Sequence, residues 1–311
     1  MLRLPHHGRY EYSPIIRRVD YSWPNGKRLA VHVSINIEHF AYGTGLGHSV
    51  SSELPQPDPR TFCWRDYGNR VGVWRLFALL DELGLPASCL VNATVFDYAP
   101  EIVQRILARN DEIIGHGRTN AERQGQMWEE DEARLIAEVR DAIERCGQHP
   151  GGWMGPWMSQ SAVTPDLLHE AGFKFLMDWP CDDQPIWLKT RQGRIMSIPY
   201  PLEINDSPQL IVRRHTAQDF EQMIIDQFEE MVEQSEKQPL VCGISLHTMV
   251  CGQPYRLRAV RRALKYIVEH PKRDKVWFSR PRDIYAHCAS LPAGTVPGSD
   301  GLTTSAGLGK D

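Results

Sequence analysis

Residues 110–124 read NDEIIGHGRTNAERQ and hold a single histidine, His116, bracketed by Gly115 and Gly117. Ile113 and Ile114 before it form a short apolar run of strand type. The polar stretch after it, with Thr119, Asn120 and Glu122, is compatible with a helix. A strand that runs into a glycine-flanked histidine and then a helix presents the imidazole at the strand's carboxyl end, where α/β sheets and barrels place their chemistry. His116 and Asn120 are four apart, so one helical turn predicts both side chains on one face. The bland alternative is a histidine that caps or packs a turn. Against it stands a pattern: other strand-like runs also stop on polar groups, at Asn36 and Glu38, at Asn92, at Gly155-Pro156-Trp157, at Asp178 and at His247. Asn205 and Asp206 follow closely on a weaker run. If all these strands point the same way, the polar groups converge on one rim.

Taken singly, each signal has an ordinary explanation. Glu38 has the chemistry of a metal ligand or a base, yet acids at strand ends often cap helices. His247 ends an apolar strand, as a satisfied structural histidine also does. Asp178, Asp182 and Asp183 lie in the turn-like MDWPCDDQP, where solvated carboxylates are the default, and Trp153 and Trp157 more often pack than stack on a ligand. The chain has no phosphate-cradling Gly-rich loop, no G-x-S-x-G elbow and no H-E-x-x-H helix, which removes nucleotide, serine-hydrolase and zincin readings.

The elements that must position these groups follow from periodicity. Residues 28–38 (RLAVHVSINIE) alternate Leu29, Val31, Val33, Ile35 and Ile37 with Ala, His, Ser and Asn, which predicts a strand. Residues 41–70, rich in Gly, Pro and Ser, read as a long lid or binding loop. Val73, Leu76, Phe77, Leu80 and Leu83 fall at helical spacing and end at Gly84, a plausible C-cap. Further strands are predicted at 87–92, before His116, and at 151–156, 173–178, 195–199, 240–247 and 276–279. Helices are predicted at 99–109, 129–146, 164–171, 217–235, 257–269 and 281–288. Strand and helix alternate about seven times, which predicts a parallel, barrel-like sheet covered by helices in a single domain. Residues 1–27 should wrap its outside, 28–289 form the domain, and 290–311 form a flexible tail.

The chain of 311 residues has 41% apolar and 24% charged residues, ordinary for a soluble globular protein. A formal charge of −4 gives no electrostatic reason to bind nucleic acid. Seven cysteines without a C-x-x-C pair predict a reducing compartment, and no run approaches a signal peptide or a membrane span. The expectation is a cytoplasmic protein that meets a small molecule, with no nucleic acid or membrane as partner.

Seven segments carry a family resemblance: RLAVHVSINIEHF, DYGNRVGVWRLFALLDELGLPASCLVN, DEIIGHGRTNAE, WMGPWMSQS, GFKFLMDWPCDDQP, IPYPLEINDSP and SLHTMVCGQPYR. Together they resemble the polysaccharide deacetylase (NodB-homology) superfamily over residues 23–288. The YG-x-RVG-x-W run (Tyr67, Gly68, Arg70, Val71, Gly72, Trp74), the DDQP turn and PYPLEIND resemble its allantoinase-like and cyclic-imidase branch. The resemblance implies a distorted (β/α)7 barrel. It implies a hydrolase of non-peptide C–N bonds that opens a small cyclic amide, ureide or imide. The alternatives are a carbohydrate N-deacetylase and a non-catalytic ligand-binding member, and homo-oligomers are common in the branch.

Metal-dependent members use an Asp and two His as ligands, a second Asp as base and a late His as acid. Carried across, the base position is Asn36, the ligands are Glu38, His116 and Asn120, and the acid is His247. An amide at 36 takes no proton from water, and an amide at 120 is a weaker and harder ligand than imidazole. Glu38, His116 and Asn120, with Glu122 as a spare carboxylate, could still hold one divalent ion, Zn or Mn. Metal-free catalysis with Glu38 as base is the other expectation. Asn36, Asn92, Trp157, Asp178, Asp183, Asn205 and Asp206 would contact substrate, with Asn36, Asn92 and the backbone near Gly155 as oxyanion donors.

Overall fold

The computed structural model describes residues 4–43, 46–50 and 55–300. Its organising element is β1 (Leu29–Ile37), in which all nine residues are buried. A strand is buried on both faces when parallel neighbours cover both edges and helices cover the outside. Here β2 (Ala87–Val91) pairs with it from Val33 onward, and β8 (Leu240–His247) runs along the other edge. β9 (Val276–Phe278) takes the first three residues of the β2-side edge. Beyond β2 the sheet continues through β3 (Glu112–Gly115), β4 (Gly152–Trp153), β5 (Phe175–Leu176) and β7 (Gly193–Ser197), all parallel. β6 (Ile186–Thr190) lies antiparallel on β7 as a hairpin.

The sheet curls until its ends nearly meet. Across the remaining gap, Val241 N donates to Asp183 O and Ser245 N to Ile204 O, both at 2.9 Å. The alternation in β1 sorts its side chains between two cores. Leu29, Val31, Val33, Ile35 and Ile37 face the helices. Ala30 faces inward, toward Leu90, Ile114, Met154, Phe175 and Val241. The inward-facing set of β1 becomes polar toward its carboxyl end: Ala30, His32, Ser34, Asn36. His32 is pushed down to about 4 by burial and its ring meets the Pro199 carbonyl at 3.1 Å. A side chain at Gly243 would start 2.8 Å from that ring, so β8 carries glycine there.

Nine helices cover the outside of the described chain: α1 (Pro59–Tyr67), α2 (Val73–Leu83), α3 (Ala93–Tyr98), α4 (Pro100–Ala108), α5 (Glu129–Arg145), α6 (Thr164–Glu170), α7 (Ala217–Gln234), α8 (Pro254–Val268) and α9 (Pro281–Ser290). The shape is a curled α/β half-barrel, and four expectations need correction. β6 was not foreseen. α1 lies inside the expected loop 41–70, started by Asp58, whose carboxylate accepts from Arg60 N and Thr61 N. The stretch after His116 is a turn rather than a helix: the Gly117 and Arg118 carbonyls accept from Ala93 N and Thr94 N at the start of α3, and Gly117 takes φ +63. The expected flexible tail is held through Asp300, with Val296 buried and Pro297 O accepting from Trp187 N at 2.8 Å; residues 301–311 lie outside the described residues.

The first 27 residues are tied down by charge and by one large ring. Arg9 grips Asp166 through two N–H groups at 2.7 and 2.6 Å. Trp23 is buried and donates to Leu240 O at 3.1 Å. All seven cysteines are free thiols. Among the described residues no helix is long and apolar enough to cross a membrane.

Candidate active site

Period-two alternation carries Asn36 and then Glu38 inward at the end of β1, and the same rule brings His247 in behind Ser245 on β8 and His116 behind Ile114 on β3. The three strand ends are fastened to one another through backbone groups. Asn69 donates to the Glu38 carbonyl at 2.8 Å. Asn92 accepts from His39 N at 2.8 Å and donates to the His116 carbonyl. Asn120 N and Thr119 Oγ1 donate to the His39 carbonyl at 2.9 and 2.7 Å. Asn69 belongs to the YG-x-RVG-x-W run. Its π-helical turn, Gly68–Gly72, packs so closely on the Thr248 backbone that a Cβ at Gly72 would overlap the Thr248 carbonyl.

Glu38, His116 and His247 meet. Glu38 Oε1 lies 3.6 Å from His116 Nε2 and 3.5 Å from His247 Nε2. His116 Nδ1 faces the Met154 carbonyl at 2.5 Å; a carbonyl only accepts, so Nδ1 carries the proton. His247 is held by Asp206, whose carboxylate accepts from its backbone N–H at 3.0 and 2.8 Å and from Nδ1 at 2.7 Å. Burial pulls the His247 imidazole down, but Asp206 and then Glu38 outweigh it and leave the pKa raised. For Glu38, burial pushes up, while His247 and then the neighbouring His116 ring bring the carboxyl below its ordinary value. Both shifts favour the charged forms, carboxylate on Glu38 and imidazolium on His247.

Around this pair lies a cavity of about 320 Å³. Its floor is polar (Asn36, Glu38, His116, Asn120, Asn205, His247). Phe40, His48, Met154, Trp157, Met158 and Val212 supply the rest of its wall, with Tyr200, Ser207 and Pro208. His116 Nε2 and Asn120 Oδ1 are buried and accept no hydrogen bond from the described residues. They offer acceptors to a ligand's N–H groups. His48, Phe40, Met154 and Tyr200 were missed by sequence reasoning. Only the loop length between β1 and α1 pointed toward His48, and nothing in the pattern singled out the others.

Of the expected substrate contacts, Asn36, Trp157 and Asn205 line the cavity and four do not. Asn92 spends its amide on the two backbone groups already named. Asp178 accepts from Gly155 N at 2.7 Å behind the cavity; the residue is half-buried, its carboxyl is covered, and burial pushes that carboxyl up to about 8. It holds the turn in which Trp157 and Met158 take φ +63 and +52, a strained conformation that aims Trp157 at the cavity. Asp183 is exposed beside Val241, toward the opposite end of β8. Asp206 is fully buried under His247.

The expected oxyanion donors are also engaged. Asn36 Nδ2 donates to Ser245 Oγ at 2.9 Å and Tyr200 Oη at 3.2 Å, and Gly155 N is used by Asp178. Donor-bearing side chains that line the cavity include His247, Asn120 and Asn205. Glu122, the spare carboxylate, is taken by Arg118 in a two-point ion pair at 3.0 Å.

A divalent ion here would have Glu38, His116 and Asn120. The orphaned His116 and Asn120 acceptors suit a cation, but the set as a whole does not. Among the described residues no three His, Cys, Asp or Glu side chains are arranged to hold a metal. Asn120 adds only a neutral oxygen. The fourth neighbour, His247, lies 3.5 Å from the one carboxylate of that set, and its raised pKa favours an imidazolium that would repel the ion. The residues do not fit a catalytic zinc or manganese centre.

The chain is a curled α/β half-barrel with a carboxylate and two imidazoles at its strand ends, and over most of its length it is similar to members of the polysaccharide deacetylase (NodB-homology) superfamily. A Schizosaccharomyces pombe protein whose name assigns it to the polysaccharide deacetylases is 23% identical, over 84% of this chain and 90% of its own. A Helicobacter pylori peptidoglycan deacetylase is 22% identical over 78% and 92%. The solved Puue allantoinase superposes with a TM-score of 0.76 at 27% identity, over 85% of this chain and 91% of its own. No family model matches the chain.

Proposed function

We propose that the protein hydrolyses the C–N bond of a small cyclic amide, ureide or imide with its own carboxylate and imidazolium. The observation that carries this is the Glu38–His247 pair at 3.5 Å inside a cavity of about 320 Å³. Opposed pKa shifts in neighbouring groups separate the roles of base and acid. The carboxylate of Glu38 takes a proton from water as its oxygen attacks the ring carbonyl. The imidazolium of His247 gives its Nε2 proton to the departing nitrogen, and the proton on Glu38 restores His247 after ring opening. Asn120 and Asn205 polarise the carbonyl, each good donor being worth about 3 kcal/mol. The free acceptors on His116 and Asn120 suit a substrate rich in N–H groups.

A carbohydrate N-deacetylase is the second reading, favoured by the names of both curated relatives. Purified protein incubated with allantoin, a cyclic imide and an N-acetylated chito-oligomer separates the two. Ring opening that falls by roughly 10²–10⁴ in both Glu38→Gln and His247→Ala is expected. Deacetylation of the oligomer alone refutes the ring-hydrolase reading. Turnover of none of the three, with binding intact, supports a ligand-binding protein.

A further inference from the structure

His48 reaches the cavity by a route that no strand end uses. It sits in the connection between β1 and α1, and several contacts hold it over the site. Leu46 N donates to Ala121 O at 3.1 Å. Arg65 on α1 gives the His48 carbonyl two N–H groups, at 3.0 and 2.7 Å. The Arg65 guanidinium is itself fixed over the Phe40 ring at 4.4 Å, and Gly47 (φ +147) lies so close to it that a Cβ would overlap the guanidinium. The imidazole then makes two contacts across the cavity. His48 Nε2 meets Ser207 Oγ at 2.7 Å, and its ring stands edge-on to Trp157 at 5.4 Å.

These contacts join three separate pieces of chain above the polar floor: the β1–α1 connection, the turn carrying Trp157, and the π-helical turn Ser207–Val212. A carbohydrate chain needs a trough that runs on past the reacting sugar. The His48–Ser207 and His48–Trp157 contacts lie across any such path, and the space left, about 320 Å³, is at the small end for ligand cavities.

We propose that His48 is the specificity-determining residue of this site: strapped down by Arg65 and latched to Ser207, it limits the substrate to a single small ring and refuses a sugar chain. The proposal rests on the ring-hydrolase reading for the identity of the substrate, but not for the size limit. Arg65 acts through His48 and is a positioning residue; the Ser207 hydroxyl is the latch.

Three variants test it: His48→Ala opens the cavity, Arg65→Met frees the strap, and Ser207→Ala removes the latch while taking only one hydroxyl from the wall. Circular dichroism and thermal melting first establish that each is folded. Calorimetry then measures binding of succinimide and of diacetylchitobiose to wild type and variants, and kinetics follow whichever is turned over. Expected is that wild type binds the imide and not the sugar, that His48→Ala gains sugar binding by at least roughly tenfold, and that Arg65→Met and Ser207→Ala move the same way by less. For the imide, KM should rise while kcat stays within about threefold. The size limit is overturned if wild type binds the sugar as well as His48→Ala does, or if no variant gains it. A loss of imide affinity alone also overturns it, since His48 would then touch the ring without setting its size. Failure of the ring-hydrolase reading shows separately, as no turnover of any ring substrate by wild type, while the sugar comparison still reads the strap.

Discussion

Asp206→Asn isolates the charge that keeps His247 protonated. The carboxylate is fully buried and accepts from the His247 backbone N–H and from Nδ1 at 2.7 Å. Asparagine retains an oxygen for those N–H groups and loses the charge. Burial acts to lower the His247 pKa, and Asp206 is the larger of the two carboxylates that reverse it. An opposite charge at this range is worth roughly 1–3 pKa units. With Asp206 neutral, Glu38 alone opposes burial, and His247 should fall below 6.5. Each unit of such a drop corresponds to about 1.4 kcal/mol and a roughly tenfold loss of imidazolium above the new value.

The acid must be protonated to act, so kcat/KM in the wild type should fall as pH rises through the raised His247 value. In Asp206→Asn that basic limb should move to lower pH, with the deficit shrinking as the pH falls. Stability gives the same sign. A histidine with a raised folded pKa contributes stability that is fully present below its unfolded value of 6.5 and is lost as pH climbs through the folded one. The wild type should therefore lose stability above neutrality and the variant should lose less. A pH–rate profile and urea denaturation across that window measure both. A basic limb that stays in place, or a uniform drop at every pH, refutes the assignment of His247 as the acid.

Three further outcomes are expected. Glu112 is buried, with one oxygen unpartnered and the other accepting from Arg282 N at 3.0 Å, and burial lifts its carboxyl from 4.5 to about 8. An acid raised in this way costs stability as pH rises from its unfolded to its folded value. Glu112→Gln should therefore flatten the decline, which runs mostly between about pH 5 and 8, by roughly 4–5 kcal/mol in all, and parallel denaturation curves for the two proteins would contradict this. Gly72→Ala should destabilise by about 3 kcal/mol or more, because its Cβ meets the Thr248 backbone rather than a movable side chain; thermal melting reads it, and an unchanged Tm contradicts it. Dialysis against a strong chelator should leave ring-opening activity within about twofold, with less than stoichiometric zinc and manganese by elemental analysis; loss restored by added metal would overturn the metal-free chemistry.

What the sequence disclosed and what it withheld divide along one physical line. Alternation in 28–38 and the apolar run 240–247 fixed which side chains of β1 and β8 point inward, and so brought Glu38, His116 and His247 to one rim. Periodicity says nothing about what a polar strand-end residue does once it arrives. Asn92 and Asp178 end strands as Glu38 nearly does, yet their polar atoms turn back to backbone groups, because three strand ends and a strained turn leave carbonyls and N–H groups that must be satisfied. The orphaned acceptors of His116 and Asn120 are legible only after that accounting, as the atoms left over when backbone needs are met. Support from a distance is less legible still. Asp206 stands 41 positions before the histidine it holds, and His48 is delivered by an arginine 17 positions on, at spacings that belong to no secondary-structure period. The hairpin partner β6 was lost for a related reason: among the described strands Ile186–Thr190 pairs only with β7, and its far edge meets Arg9 of the N-terminal segment and Pro297 of a segment that reads as tail. The residues that make a site specific are thus the ones placed by tertiary contacts, and a change at Arg65, remote from any reacting atom, should be visible in substrate choice, though by less than a change at His48 itself.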